Sequence, residues 1–212
     1  MLLCLDTSSA TTIVVLTLDG EVLASASDTS GAHERVVMPL VREVLAGVRV
    51  RELDGIVAGV GPGPFTGLRV GLTSAQVLGR AIGVPVYGVC SLDALAADVD
   101  PIGTFAVTAD AKRRELYWAT YDEFGARMSG PAVGSPSDVS RAVVGLPVAG
   151  IGPQRYPELF ATAIEPSQMT ASGLARIAVR PESHLAPLPL YLREPDAVAA
   201  QVRKPVTQSE SR

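Results

Sequence analysis

Apolar and polar positions along the chain follow two alternating rhythms. Residues 2 to 6, 12 to 18 and 21 to 26 are apolar or β-branched runs, separated by Asp6-Thr7-Ser8-Ser9-Ala10 and by Asp19-Gly20. That pattern predicts a β-hairpin followed by a third strand. From His33 to about Val48 the spacing turns helical, with Val37, Leu40 and Val44 on one stripe and Met38, Val41 and Leu45 beside it. At about 100° per residue the apolar arc, with Val36 included, covers roughly 200°, wider than a helix covering one sheet requires. If the helix instead begins at Pro39, the arc shrinks to roughly 140° and one core could absorb it.

Asp54 to Val60 predicts the next strand, and Gly61-Pro62-Gly63-Pro64 stops it, because proline fixes φ and lacks an N–H donor. Thr66 is the expected N-cap of a helix running to about Gly83. Val84 to Val89 follows as a strand, and Ser91-Leu92-Asp93 caps a short helix through about Ala97. Three antiparallel-compatible strands followed by alternating helix and strand define an α/β half with a mixed sheet. Asp98 to Gly103 interrupts the pattern, which places a boundary near residue 100 between lobes of residues 1–100 and 101–195. In the second lobe Phe105 to Thr108, the turn Asp110 to Arg114 and Glu115 to Tyr121 repeat the opening hairpin, a sign of internal duplication. Ser137 to Val144 reads as a short helix, Val148 to Ile151 as a strand and Ser172 to Val179 as a helix; residues 196–212 are expected to be a disordered tail.

Inside the second long helix Gly67, Gly71, Ala75 and Gly79 recur every fourth residue and form one small-residue ridge. Glycine in a helix interior costs about 1 kcal/mol relative to alanine, so close approach of a neighbouring backbone is the expected compensation. The neighbour belongs either to this chain or to another.

The 212 residues, 47% of them hydrophobic, suffice for a sizeable core. A net charge of −4 weighs against autonomous nucleic-acid binding, and only Lys112-Arg113-Arg114 clusters noticeably. No apolar run approaches the roughly 18 residues a membrane helix needs, and no basic leader opens the chain, so no membrane association and a cytoplasmic location are expected. Cys4 and Cys90 lie in apolar strands and are expected to be reduced, buried thiols.

Chemistry is sparse. The two histidines, His33 and His184, are far apart, no cluster has metal-ligand spacing, and no serine sits in a Gly-x-Ser-x-Gly elbow. No catalytic residue, metal or cofactor is therefore expected. Asp6-Thr7-Ser8-Ser9 either offers hydroxyls and N–H groups to a phosphate or is simply built of good turn residues. Gly-Pro-Gly-Pro-Phe-Thr-Gly lacks the Gly-Lys-Ser/Thr of a Walker loop.

Leu5-Asp6-Thr7, His33 with Pro39-Leu40, Gly61-Pro-Gly-Pro-Phe-Thr-Gly-Leu-Arg-Val-Gly71, Asp110-Ala-Lys with Glu115-Leu-Tyr-Trp118, and Tyr191-Leu-Arg193 occur in one order along the chain. In that order they resemble the TsaB (YeaZ-like) family, a subunit of the bacterial machinery that makes threonylcarbamoyladenosine at position 37 of tRNAs. The resemblance implies an actin/Hsp70/sugar-kinase-like (ASKHA) fold of two related α/β lobes with mixed sheets, the second reduced. It implies no catalysis alone, a homodimer in isolation, and pairing with the paralogous TsaD transferase, with the TsaE ATPase joining and tRNA reached only through the complex. The implied interface is the two first-lobe helices near residues 36–47 and 66–82, with Val37, Met38, Val41, Leu45, Gly67, Gly71, Ala75 and Gly79. The paralogue's H-x-x-x-H metal motif falls, by the same resemblance, on Ser91-Leu92-Asp93-Ala94-Leu95, which disfavours a metallopeptidase. The alternative is an ATP-dependent phosphotransferase or acyltransferase of the same fold, with Asp6, Thr7, Ser8, Ser9 and Asp110 as phosphate and magnesium contacts.

Overall fold

The computed structural model describes residues 1–100 and 103–193, so the expected tail at 196–212 lies outside the described residues. Strand β1 (Leu2–Asp6) is buried throughout its length. It pairs antiparallel with β2 (Thr11–Leu16), Leu3 facing Val15, and parallel with β4 (Gly55–Gly61), Leu3 facing Ile56. β3 (Val22–Asp28) and β5 (Val86–Cys90) complete a five-stranded sheet of order β3-β2-β1-β4-β5. The run of wholly buried residues in β1, β2 and β4 is what a sheet covered on both faces requires.

Helices α1 (His33–Val44) and α2 (Phe65–Ile82) cover one face. Leu3, Leu5, Ile13, Val15, Ile56 and Ala58 of the sheet meet Val37, Val41, Val44, Leu72 and Ala75 of the helices there. α1 begins at His33 with Pro39 in its interior, and it ends at Val44, short of the expected Val48. α2 begins at Phe65 with Pro64 at its N-cap, and no side chain caps it; Thr66 therefore lies inside the helix instead of capping it.

The second sheet has order β8-β7-β6-β9, from β6 (Phe105–Asp110), β7 (Leu116–Tyr121), β8 (Arg127–Gly134) and β9 (Val148–Gly150). It repeats the first: a central strand paired antiparallel with its hairpin partner, Val107 facing Ala119, and parallel with a later strand, Val107 facing Ala149. Among the described residues it has no equivalent of β5, so the two lobes are related and the second is reduced. The sequence pattern missed β8, because Gly130-Pro131 interrupts it and its first half is exposed; an edge strand tolerates both.

Between the sheets lie α3 (Ser91–Ala96) and α6 (Ala171–Ala178). Leu174, Ala175, Ile177 and Ala178 of α6 pack on Leu2, Cys4, Val14 and Leu16, so this helix, late in the chain, closes the far face of the first sheet. Leu92, Leu95 and Ala96 of α3 pack with Phe105, Val107 and Tyr121 of the second sheet. α4 (Pro136–Ala142) and α5 (Ile151–Arg155) complete the second lobe, and α5 replaces what the pattern read as the end of a strand. Both cysteines are buried and free.

Candidate functional site: the two-helix face and the lobe junction

The β1–β2 turn is a closed hydrogen-bonding unit. Asp6, fully buried, accepts through Oδ1 from the Ser8 amide at 2.7 Å and the Ser8 hydroxyl at 2.6 Å. Through Oδ2 it accepts from the Ser91 hydroxyl at 2.5 Å, and Ser91 Oγ in turn accepts from the Gly61 amide at 3.2 Å. Burial pushes the Asp6 carboxyl up, and the Ser8 and Ser91 hydrogen bonds with the nearby His33 draw it partly back. The Thr7 hydroxyl donates to Gly67 O at 2.7 Å and accepts from the Gly71 amide at 3.1 Å, pinning the turn to α2. Of the four residues read as phosphate contacts, Asp6, Thr7 and Ser8 are thus engaged inside the chain, and Ser9 alone is exposed.

The small-residue ridge of α2 meets this same turn. A Cβ on Gly67 would lie 2.5 Å from Thr7 O, one on Gly71 2.3 Å from Thr7 Oγ1, and one on Gly79 2.4 Å from Val86 Cγ2. Of the two neighbours the sequence left open for the ridge, the one in close contact is this chain itself. Gly67, Gly71, Ala75 and Gly79 are buried against the chain's own turn and strands, and their smallness lets α2 settle on the sheet. Val37 and Val41 are likewise in the core, Leu45 is half-buried, and Met38, 37% exposed, reaches solvent.

What the two helices present outward is a groove of about 500 Å³ lined by Glu34, Val37, Met38, Phe65, Thr66, Arg69, Val70, Thr73 and Ser74. Phe65 and Arg69 form its floor and edge, the guanidinium 5.1 Å above the ring centre. Sequence reasoning missed both, although the i, i+4 spacing of an aromatic and an arginine in the Gly-Pro-Gly-Pro-Phe segment was a usable signal. His33 anchors the start of α1, its Nδ1 2.8 Å from Thr11 Oγ1.

Segments distant in sequence converge beside this groove. Tyr191 stacks on Phe65 with ring centres 4.9 Å apart, and the Tyr117 hydroxyl donates to Gly63 O at 3.3 Å. Arg193 donates to Ala111 O at 3.1 Å and pairs with Glu115. His184 is half-buried, stacks on Tyr87 and bonds Ala178 O. In the hairpin loop Asp110 accepts from the Lys112 amide and ammonium, both at 2.9 Å, and from Arg155 at 2.7 Å. Partial burial would raise the Asp110 carboxyl, but the Lys112 hydrogen bonds and the Arg155 pair outweigh it and hold the group below its ordinary range. Lys112, Arg113 and Arg114 take φ values of 59°, 52° and 61° in succession. The left-handed region costs an L-residue about 1–2 kcal/mol, so three consecutive occupants mark a loop held by its surroundings.

The cleft between the lobes, about 550 Å³, is lined by residues from both, among them Ser9, His33, Asp110, Lys112 and Arg155. Asp93 faces inward at the base of α3, hydrogen-bonded by the Tyr121 hydroxyl at 2.8 Å and paired with Arg127 at 3.3 Å. Burial raises its carboxyl and Arg127 opposes the rise; burial also pushes the Cys90 thiol up to about 12, far from thiolate reactivity. Ser91 is bonded to Asp6 and Leu95 is apolar core, and among the described residues no group of three or more His, Cys, Asp or Glu is placed to hold a metal. No described helix is long and apolar enough to cross a membrane.

Two sheets of repeated topology around a cleft define the actin/Hsp70/sugar-kinase-like class. The activator of the 2-hydroxyisocaproyl-CoA dehydratase from Clostridium difficile shares the fold at TM-score 0.53 and 11% identity, over 84% of this chain and 91% of that one. The family model described as TsaD, tRNA N6-adenosine threonylcarbamoyltransferase, matches residues 24–208, and the chain belongs to that family as a YeaZ/TsaB-like member. YeaZ from Pseudomonas aeruginosa superposes at TM-score 0.73 and 30% identity, over 90% of this chain and 99% of that one. A Mycobacterium tuberculosis (strain H37Rv) protein is 46% identical over 170 residues, 78% of this chain and 77% of its own length. The tRNA threonylcarbamoyladenosine biosynthesis protein TsaB of Escherichia coli is 34% identical over 131 residues, 58% of this chain and 57% of that protein. A Mycobacterium leprae relative is 41% identical over 98% of this chain, which spans 57% of that relative's length.

Proposed function

We infer that this chain is a subunit, without catalysis of its own, of an assembly that makes N6-threonylcarbamoyladenosine in tRNA, and that it docks a TsaD-type transferase on its α1–α2 face. The observation that carries the reading is the groove between the helices. Met38, Phe65 and Val70 offer an apolar floor with Glu34 and Arg69 at hand, while Thr7 ties the turn beneath to α2 and Thr11 bonds His33 at the start of α1. A rigid, mixed apolar and charged face of this kind suits association with a second folded protein. Membership of the transferase family and similarity to named TsaB proteins supply the pathway. A TsaE-type ATPase joins the assembly, and in isolation the same face closes a homodimer.

Mixing the purified chain with a TsaD-type transferase on a sizing column tests the reading. Co-elution is expected, and Met38→Asp, which places a carboxylate on the apolar groove floor, should weaken it about tenfold or more while leaving the melting temperature near wild type. Co-elution indifferent to Met38→Asp would remove this face from the interface. The lobe cleft favours a second reading, an ATP-dependent transferase acting alone, since Asp110, Lys112 and Arg155 line it. Calorimetry with ATP and magnesium separates the two: tight binding by the isolated chain supports the second reading, and its absence supports the first.

A further inference from the structure

We propose that Tyr191 is a positioning residue for the docking face: stacked on Phe65, it fixes that ring at the edge of the α1–α2 groove before a partner arrives. This rests on the docking reading above and gives a part in it to the Tyr191-Leu-Arg193 segment, which lies far from α2 in sequence.

The segment is held in place by its backbone. Leu185 and Gly88 exchange amide-to-carbonyl bonds of 2.8 Å each at the outer edge of the first sheet. Gln76 of α2 donates through Nε2 to Pro187 O at 2.9 Å, and the Leu190 amide donates to Val60 O at 2.8 Å. Arg193 then reaches the second lobe at Ala111 O. The contact with the sheet is close enough that a Cβ on Gly88 would lie 2.7 Å from Ala186 O. In an extended run neighbouring side chains point to opposite sides. Leu190 accordingly packs on the core of the first lobe and Leu192 on the cluster around Phe105 and Tyr121, while Tyr191 between them is turned outward, 38% exposed.

Turned outward, the Tyr191 ring meets Phe65, with 4.9 Å between centres and 28° between planes. Phe65 is the first residue of α2, at a helix end that no side chain caps. It lines the groove on one side and, on the other, a cavity of about 240 Å³ that Tyr191 also lines. An aromatic pair that only staples a chain together belongs in the core, as Phe105 and Tyr121 do, stacked at 5.4 Å and 1% and 0% exposed. Phe65 and Tyr191 form their stack at the rim of the groove instead, with both rings open to solvent. Because backbone bonds already fix the segment, what the stack restricts is the rotation of Phe65. A ring held in one orientation beforehand loses less freedom on association, and buried aromatic anchors carry a large share of an interface's affinity.

The full chain binding an immobilised TsaD-type transferase, followed by interferometry, tests the proposal. Tyr191→Ala should weaken binding about two- to tenfold, the range an aromatic pair supplies, with the melting temperature near wild type because the backbone bonds remain. Tyr191→Phe keeps a stacked ring and should restore most of the affinity. In a Phe65→Ala background, Tyr191→Ala should cost less than about a further twofold. Without any partner, the Phe65 ring resonances of a chain carrying labelled phenylalanine should move on Tyr191→Ala and return in Tyr191→Phe. Wild-type affinity in Tyr191→Ala, no recovery in Tyr191→Phe, an equal loss with and without Phe65, or unmoved Phe65 resonances would each overturn the proposal. Met38→Asp in the same assay reports on the docking reading separately. Binding weakened by Met38→Asp yet untouched by Tyr191→Ala leaves the face standing and removes only the role of Tyr191, whereas binding indifferent to Met38→Asp removes the face and this role with it.

Discussion

At Gly71 the absent side chain decides the packing. Thr7 Oγ1 occupies the place where a Cβ would stand, and through it the first turn of the chain is bonded to two points on α2. Gly71→Ala should therefore destabilise the fold by about 1–3 kcal/mol, read as a fall in the urea midpoint, because either α2 or the turn must move and the hydroxyl loses its partners. A variant as stable as wild type would show that the turn is free to yield. Sequence alone identified the ridge but not its neighbour: a four-residue spacing of small side chains states that a backbone comes close, and it is silent on which one. Asp6 presents the same ambiguity. An acid followed by hydroxyl residues has the composition of a phosphate loop, and only the position of Ser91, brought in by β5, shows that the carboxylate is already bonded within the core.

Among the elements, those with strong periodicity were legible and those at edges were not. β1, β2, β4 and α2 were found within a few residues because each buries a full face or stripe. β8 and α5 escaped because one is a partly exposed edge carrying proline and the other is a single short turn. The loop between β6 and β7 carries a prediction at this scale. Asp110 is held below its ordinary range by Lys112 and Arg155, so its contribution is fully present above the unfolded carboxyl value of about 3.9 and is lost as pH falls through the folded value. Asp110→Asn should flatten the acid side of the stability profile in that window, as followed by denaturant midpoints at successive pH values. An acid limb identical to wild type would show that these pairs contribute nothing to folding.

For the whole molecule, the path of the chain matters more than its division near residue 100. α6 follows the second lobe in sequence and packs on the first, with Leu174 fully buried among Cys4, Val14 and Leu16. Leu174→Ala is expected to cost about 2–5 kcal/mol and to lower the stability of the first sheet, as hydrogen exchange in β1 and β2 would record. Loss of protection confined to the second lobe would contradict that packing. The two-lobed architecture and the duplication were readable from repeated hairpins, whereas the return of α6 was not, because periodicity describes a helix's apolar face and leaves its destination open.

The return also sets a schedule for the nascent polypeptide. Its first strands leave the ribosome early, yet the face they share with Leu174 stays bare until the helix near the other end has been translated. Through that interval the half-made protein leaves that apolar sheet face without the helix that buries it. The docking face proposed on the opposite side of that sheet therefore rests on a complete core only once α6 has been synthesised.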